Sequence, residues 1–154
     1  MMTMKIDANL TLTIRVGARI CAVPLSDVVE IMRPLPVEPW TGPTDVVQGL
    51  SVIRGAPVPV VDLGRLLGAS DKSLSTRLVA IRVGARRVAL AVDSVLGIRE
   101  FAPVLRSQMP PLLLDTRTDL VEAVGALDTE LFTVLKTCRI VPAKVWEALP
   151  RQEA

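Results

Sequence analysis

The chain has 154 residues, half of them apolar and 22% charged, with a formal net charge of +2. It is long enough to build a real core, and its balance excludes both a disordered segment and a strongly basic surface. Histidine and tyrosine are absent and aromatics stand at 3%, which excludes imidazole chemistry and a base-stacking face.

Leu10-Thr11-Leu12-Thr13-Ile14-Arg15-Val16 alternates apolar and polar residues, Gly17-Ala18 breaks the run, and Arg19-Ile20-Cys21-Ala22-Val23 continues it, which predicts a hairpin. Pro24 ends the second strand, and Ser26-Asp27 is placed to cap a short helical turn before Val28-Val29-Glu30-Ile31-Met32-Arg33. Pro34, Pro36, Pro39 and Pro43 then preclude a regular element, and Gly42-Pro43-Thr44-Asp45 predicts a helical turn over Val46-Val47-Gln48.

The stretch from Gly49 to Leu63 joins two apolar runs through Arg54-Gly55 and reads as a mid-chain hairpin. Pro57 and Pro59 donate no ladder hydrogen bonds, so the second strand is expected at an edge, or with those positions turned from its partner. Asp62 stops that strand and caps the turn Leu63-Gly64-Arg65-Leu66-Leu67, which Gly68 ends. A polar loop follows over 69–76.

The chain then repeats itself. Ile81-Arg82-Val83-Gly84-Ala85-Arg86 matches Ile14-Arg15-Val16-Gly17-Ala18-Arg19 letter for letter, and in that register Cys21 meets Val88, Val28 meets Val95 and Ile31 meets Ile98. This is the pattern of an internal duplication. After a connection from Pro103 to Pro111, Leu120 to Leu127 and Leu131 to Leu135 flank Asp128-Thr129-Glu130 as a second closing hairpin. Pro142 starts a short terminal helix over 142–149, with Val145, Trp146 and Leu149 on one side. The expected fold is mainly β: a single domain over 8–150 of two barrels of about five strands each, subdomain one about 8–70 and subdomain two about 75–141, with short helices.

Little chemistry is available to such a chain. Asp27, Glu30, Asp62, Asp93 and Glu100 are scattered at strand ends, and Arg15-Val16-Gly17-Ala18-Arg19 is a hairpin turn with one glycine, not a phosphate loop. No enzyme activity, no metal site and no cofactor is expected, which leaves a binding module. Cys21 and Cys138 are too few for a disulfide framework and are expected to be reduced core thiols. No apolar run reaches the ~18 residues of a membrane span, so a cytoplasmic protein without direct membrane insertion is expected.

The run Gly49-Leu50-Ser51-Val52-Ile53-Arg54-Gly55 with Pro59-Val60-Val61-Asp62-Leu63 resembles the signature of the CheW family. These are adaptors coupling chemoreceptors to the histidine kinase CheA. Val28-Val29-Glu30-Ile31 and the segment from Val88 to Gly97 resemble two further family segments, and the resemblance covers about residues 8–150. Val52 stands where the family usually has Asn. The resemblance implies two SH3-like five-stranded barrels and two partners, a chemoreceptor's cytoplasmic signalling tip and the CheA regulatory domain. By matching position it implies a receptor-binding set of Val28, Glu30, Gly49, Ile53, Arg54 and Val95. An apolar ridge of Val28, Ile53 and Val95 with a charged rim of Arg54 and Glu30 suits a helix laid in a groove. Trp40 is by type a candidate anchor for the kinase contact, and equally a plug for a barrel end. Two other readings fit the same residues: a CheW-like adaptor of a non-flagellar chemosensory pathway, such as one controlling pili, and an RNA-binding small barrel. The low aromatic content weighs against nucleic acid.

Overall fold

A computed structural model describes residues 10–40, 42, 47–67, 75–100, 120–127, 130–150 and 152, with backbone alone over 121–127 and 130–132. The first alternating run is β1 (Leu10–Val16), paired antiparallel with β2 (Arg19–Pro24), and a 3-10 turn over Leu25–Asp27 leads into β3 (Val28–Met32). β4 (Glu38–Pro39), β5 (Val47–Ile53) and β6 (Ala56–Asp62) pair in antiparallel succession. Asp62 caps helix α1 (Leu63–Leu66) as its position predicts, accepting the Arg65 N–H at 3.3 Å. The repeat supplies β7 (Arg77–Val83), β8 (Arg86–Val92) and β9 (Ser94–Glu100). β10 (Val121–Leu127) and β11 (Glu130–Leu135) form the second closing hairpin, a 3-10 turn covers Thr137–Arg139, and helix α2 (Ala143–Ala148) begins after Pro142.

The duplication is visible in the turns. Gly17 and Gly84 have φ of 59° and 60°, each at the first position of a two-residue turn, where glycine meets no Cβ penalty. The strands that follow are exchanged between two sheets, ordered β10-β11-β2-β1-β9 and β3-β7-β8-β6-β5-β4. β3 leaves its own copy to pair with β7, and β9 leaves its copy to pair with β1. The registers match: Val28 lies opposite Ile81 and Val95 opposite Ile14, with a bulge at Val29 in one strand and at the equivalent Leu96 in the other. Asp93 ties the exchange down, accepting the Gly17 N–H on Oδ2 at 2.7 Å and donating its own N–H to the Arg15 carbonyl at 3.1 Å. The two sheets are the two small barrels that the duplication predicts. The chain order suggests a division near residue 70, whereas each sheet draws strands from both sides of it.

Sheet faces explain the strongly apolar strands. In β8, Val88, Leu90 and Val92 join a core shared with Leu12, Ile14, Val16, Cys21 and Val23 of the other sheet, while Ala89 and Ala91 point into a second cluster with Ile53, Val58 and Val60. Such strands are buried on both faces and so read as continuous apolar runs. Val145 and Leu149 of the terminal segment add to the shared core.

Several local expectations are corrected. Val47 and Gln48 are strand rather than helical turn, because Val47, 3% exposed, is drawn into the shared core opposite Val61. The proline-rich stretch does contain a regular element, the two-residue edge strand β4, where Pro39 is tolerated. Cys21 is buried, but Cys138 is exposed in the 3-10 turn, whose short repeat leaves its side chain outside the core. β6 is not an edge strand, since it lies between β5 and β8, and the other arrangement expected of its prolines holds: Pro57 and Pro59 fall at non-hydrogen-bonded positions opposite β5, and β8 pairs only from Val60 onward, past both. The expected 103–111 connection, the turn residues 128 and 129, and the segments 43–46 and 68–74 lie outside the described residues.

Candidate functional site

The β5–β6 turn is built by two consecutive residues with positive φ, Arg54 at 51° and Gly55 at 81°, between the paired Ile53 and Ala56. This is the pattern of a type I′ turn, whose twist matches that of the strands it joins. Asn, Asp or Gly usually takes the first central position. Here it is Arg54, the one non-glycine residue with positive φ among the described residues. A backbone that holds a long cation in this region places its side chain where local preference alone would not.

The guanidinium is held in turn. Arg54 Nε donates to Glu30 Oε1 at 3.0 Å and Nη2 donates to Oε2 at 3.2 Å, a two-pronged pair across 24 residues of sequence. β3 and β5 lie toward opposite ends of the six-stranded sheet, so the pair spans the open side of that barrel. The hydrogen bond that Arg54 donates to Glu30, and then the charge of Glu30, raise the Arg54 pKa above its ordinary value. The Arg54 side chain is 69% exposed against 28% for Glu30, so the fork is fixed on one side and open to a partner on the other.

The remaining sequence-predicted residues fall in different places. Val28 and Val95 are half-buried against the shared core, in equivalent positions of the exchange. Ile53 is buried in the second cluster. Gly49 is buried opposite Pro39, and a Cβ there would meet the Glu38 carbonyl oxygen at 2.0 Å. Thus the fold brings Glu30 and Arg54 into contact beside the buried Ile53 and leaves Gly49 farther along β5, against β4. Trp40 packs against the shared core. Sequence reasoning missed the exposed apolar neighbours, Val52 at 71% and Ile31 at 44%. The signal was available for Val52, at the one position singled out as departing from the family's usual Asn. It lies in β5 opposite Pro57, outside the turn, with its side chain exposed.

Among the described residues no cluster of three or more metal-ligating side chains occurs, and no helix is long and apolar enough to cross a membrane. What the site offers is recognition: a preset guanidinium fork with apolar groups beside it in sequence.

Comparison with known proteins points the same way. The CheW-like domain family model matches residues 10–144. Protein FrzA of Myxococcus xanthus is 32% identical over 100 residues, 64% of this chain and 62% of that protein, so under two thirds of the relative is spanned. The crystal structure of the scaffolding protein TtCheW from Thermoanaerobacter tengcongensis superposes with a TM-score of 0.74 at 17% identity, covering 91% of this chain and 92% of that one. With the family match running through both sheets to the start of the terminal helix, the chain belongs to the CheW-like domain family.

Proposed function

We propose that the chain is a non-enzymatic adaptor that holds a chemoreceptor's cytoplasmic signalling tip and the CheA regulatory domain in a fixed mutual geometry. The observation that carries this reading is the Arg54–Glu30 pair: an exposed cation in a positive-φ turn, clamped from a strand at the other end of the sheet. A receptor helix needs apolar contacts along one ridge and a charged anchor to fix its register. In this reading Arg54 is the anchor, Glu30 orients it, Val28 and Val95 contribute the half-buried apolar floor, Ile53 supports the turn from within, and Gly49 supports β5 farther along, against β4. Family membership supports a scaffolding role in chemotaxis-type signalling.

The test is a titration of wild type and Arg54→Ala against a receptor signalling-tip fragment and, separately, against the CheA regulatory domain. The proposal expects wild type to bind both, with Arg54→Ala weakening the receptor contact alone. Loss of neither, or failure of wild type to bind either partner from its own organism, overturns it. Receptor fragments taken from flagellar and non-flagellar pathways identify the pathway served.

A further inference from the structure

The flank of the Arg54 turn contains a broken ladder. β7 and β8 meet in a two-residue turn between Val83 and Arg86, so the next pair, Arg82 with Arg87, is a non-hydrogen-bonded one, and the Arg87 N–H and C=O face away from β7. On that side β8 runs parallel to β6 with Val60 opposite Ala89. Extending this register two residues back sets Val58 opposite Arg87, and a parallel ladder would then ask residue 59 to donate its N–H to the Arg87 carbonyl. Residue 59 is proline, and the pairing stops.

A side chain fills the break. The Arg87 N–H donates to Gln152 Oε1 and Gln152 Nε2 donates to the Arg87 carbonyl, both at 2.6 Å. One amide side chain stands where a strand's peptide groups would. Beside it opens a pocket of about 350 Å³, with Ile53, Val58 and Ala85 in its wall and Arg54, Arg87 and Gln152 itself among its lining. Among the described residues that lining holds two guanidinium groups, Arg54, already paired with Glu30, and Arg87.

We propose that this pocket and the Arg87 backbone beside it form a peptide-docking site, adjoining the receptor contact at Arg54, that takes one extended acidic segment of a partner protein, and that Gln152 covers the Arg87 backbone in the free chain. The partner's backbone takes over the two hydrogen bonds that Gln152 makes to Arg87, so the exchange is near even in backbone bonds. The apolar wall and the pairing of a carboxylate with Arg87 then decide occupancy. Main-chain bonds to an open strand edge give such docking its affinity, and charge chooses the occupant. An acidic segment suits this lining and a basic one does not.

The probe is a labelled, end-capped hexapeptide alternating valine and glutamate, with a valine–lysine counterpart, titrated by fluorescence anisotropy against the full chain and its Gln152→Ala variant. The glutamate peptide is expected to bind Gln152→Ala about tenfold more tightly than wild type, because the competing amide pair is gone. The lysine peptide is expected not to bind, and Arg87→Ala made in the Gln152→Ala background is expected to weaken the glutamate peptide. The Arg87 amide should exchange its hydrogen faster in Gln152→Ala and be protected again by the peptide. Equal affinity of the two proteins, equal affinity of the two peptides, no binding to Gln152→Ala, or an Arg87 amide that the substitution leaves unchanged overturns the proposal. A urea melt of each variant confirms that the fold is retained.

Discussion

Glu30 and Gly97 occupy equivalent places in the duplicated fold, each just past the bulge of a strand given to the opposite sheet, Glu30 facing Ala80 and Gly97 facing Thr13. What the two places hold differs. The Gly97 carbonyl accepts the buried Thr13 hydroxyl at 2.8 Å, and the Arg99 carbonyl accepts that of Thr11 at 3.1 Å. The counterparts of these threonines, Ala80 and Leu78, have no side-chain donor, and β3 instead projects a carboxylate to Arg54. A nearly symmetric scaffold therefore carries an asymmetric site.

The threonine fastening predicts an asymmetric response to mutation. Thr13→Val keeps the shape and leaves the Gly97 carbonyl without its side-chain donor, at an expected cost of ~1–2 kcal/mol in urea unfolding. Hydrogen exchange should accelerate in β9 and not in β3, since β3 has no such bond to lose.

In the proposed adaptor role, the Arg54 turn is expected to separate folding from recognition. Arg54→Gly removes the fork and fits a positive φ better than arginine does, and the lost ion pair is a surface one. The thermal midpoint should stay within about 3 °C of wild type, while binding of a receptor signalling-tip fragment falls. Glu30→Gln should weaken that binding less than Arg54→Gly, because the guanidinium stays in place and loses only part of its orientation.

At Gly49 the expectation is reversed. Gly49→Ala drives a methyl into the Glu38 carbonyl, a backbone atom that yields only if β4 separates from β5. Destabilisation of about 2 kcal/mol or more is expected by urea denaturation.

The two thiols should react differently. Cys138 is exposed, whereas burial pushes the Cys21 thiol up from 9.0 to about 12. A maleimide at neutral pH should modify one thiol per native chain and two in denaturant. The raised value also implies a pH effect of definite sign. Above pH 9 the unfolded chain loses the Cys21 proton while the folded chain keeps it until about pH 12, so stability falls with rising pH across that window. The slope approaches ~1.4 kcal/mol per pH unit from this group, and Cys21→Val, which installs the residue found at the equivalent position 88, should remove it.

Local order was legible in the residues themselves. Period-2 alternation marked β1, the letter-for-letter repeat marked β7 and β8, the matched Gly17 and Gly84 marked their turns, the duplication announced two barrels, and the spacing of Asp62 from Arg65 marked the α1 cap. Apart from the duplication, which is a comparison of distant stretches, these signals depend on neighbours within a few positions, where turn geometry and side-chain alternation act directly. The helical turn expected at Val46-Val47-Gln48 failed where a longer-range term, burial of Val47 against Val61, outweighed local preference.

Tertiary structure alone decided the rest. A strand's hydrogen-bonding edge accepts any partner of suitable register, so nothing in the sequence of β3 or β9 says that each pairs outside its own copy; joint burial of both sheets around one core selects that exchange. The same long-range arrangement brings Glu30 to Arg54 and Gln152 to Arg87, contacts of 24 and 65 residues' separation. Sequence named the charges and the turn that presents Arg54. Which charge meets which, and which backbone edge is left for a side chain to fill, follows from how the sheets close on each other.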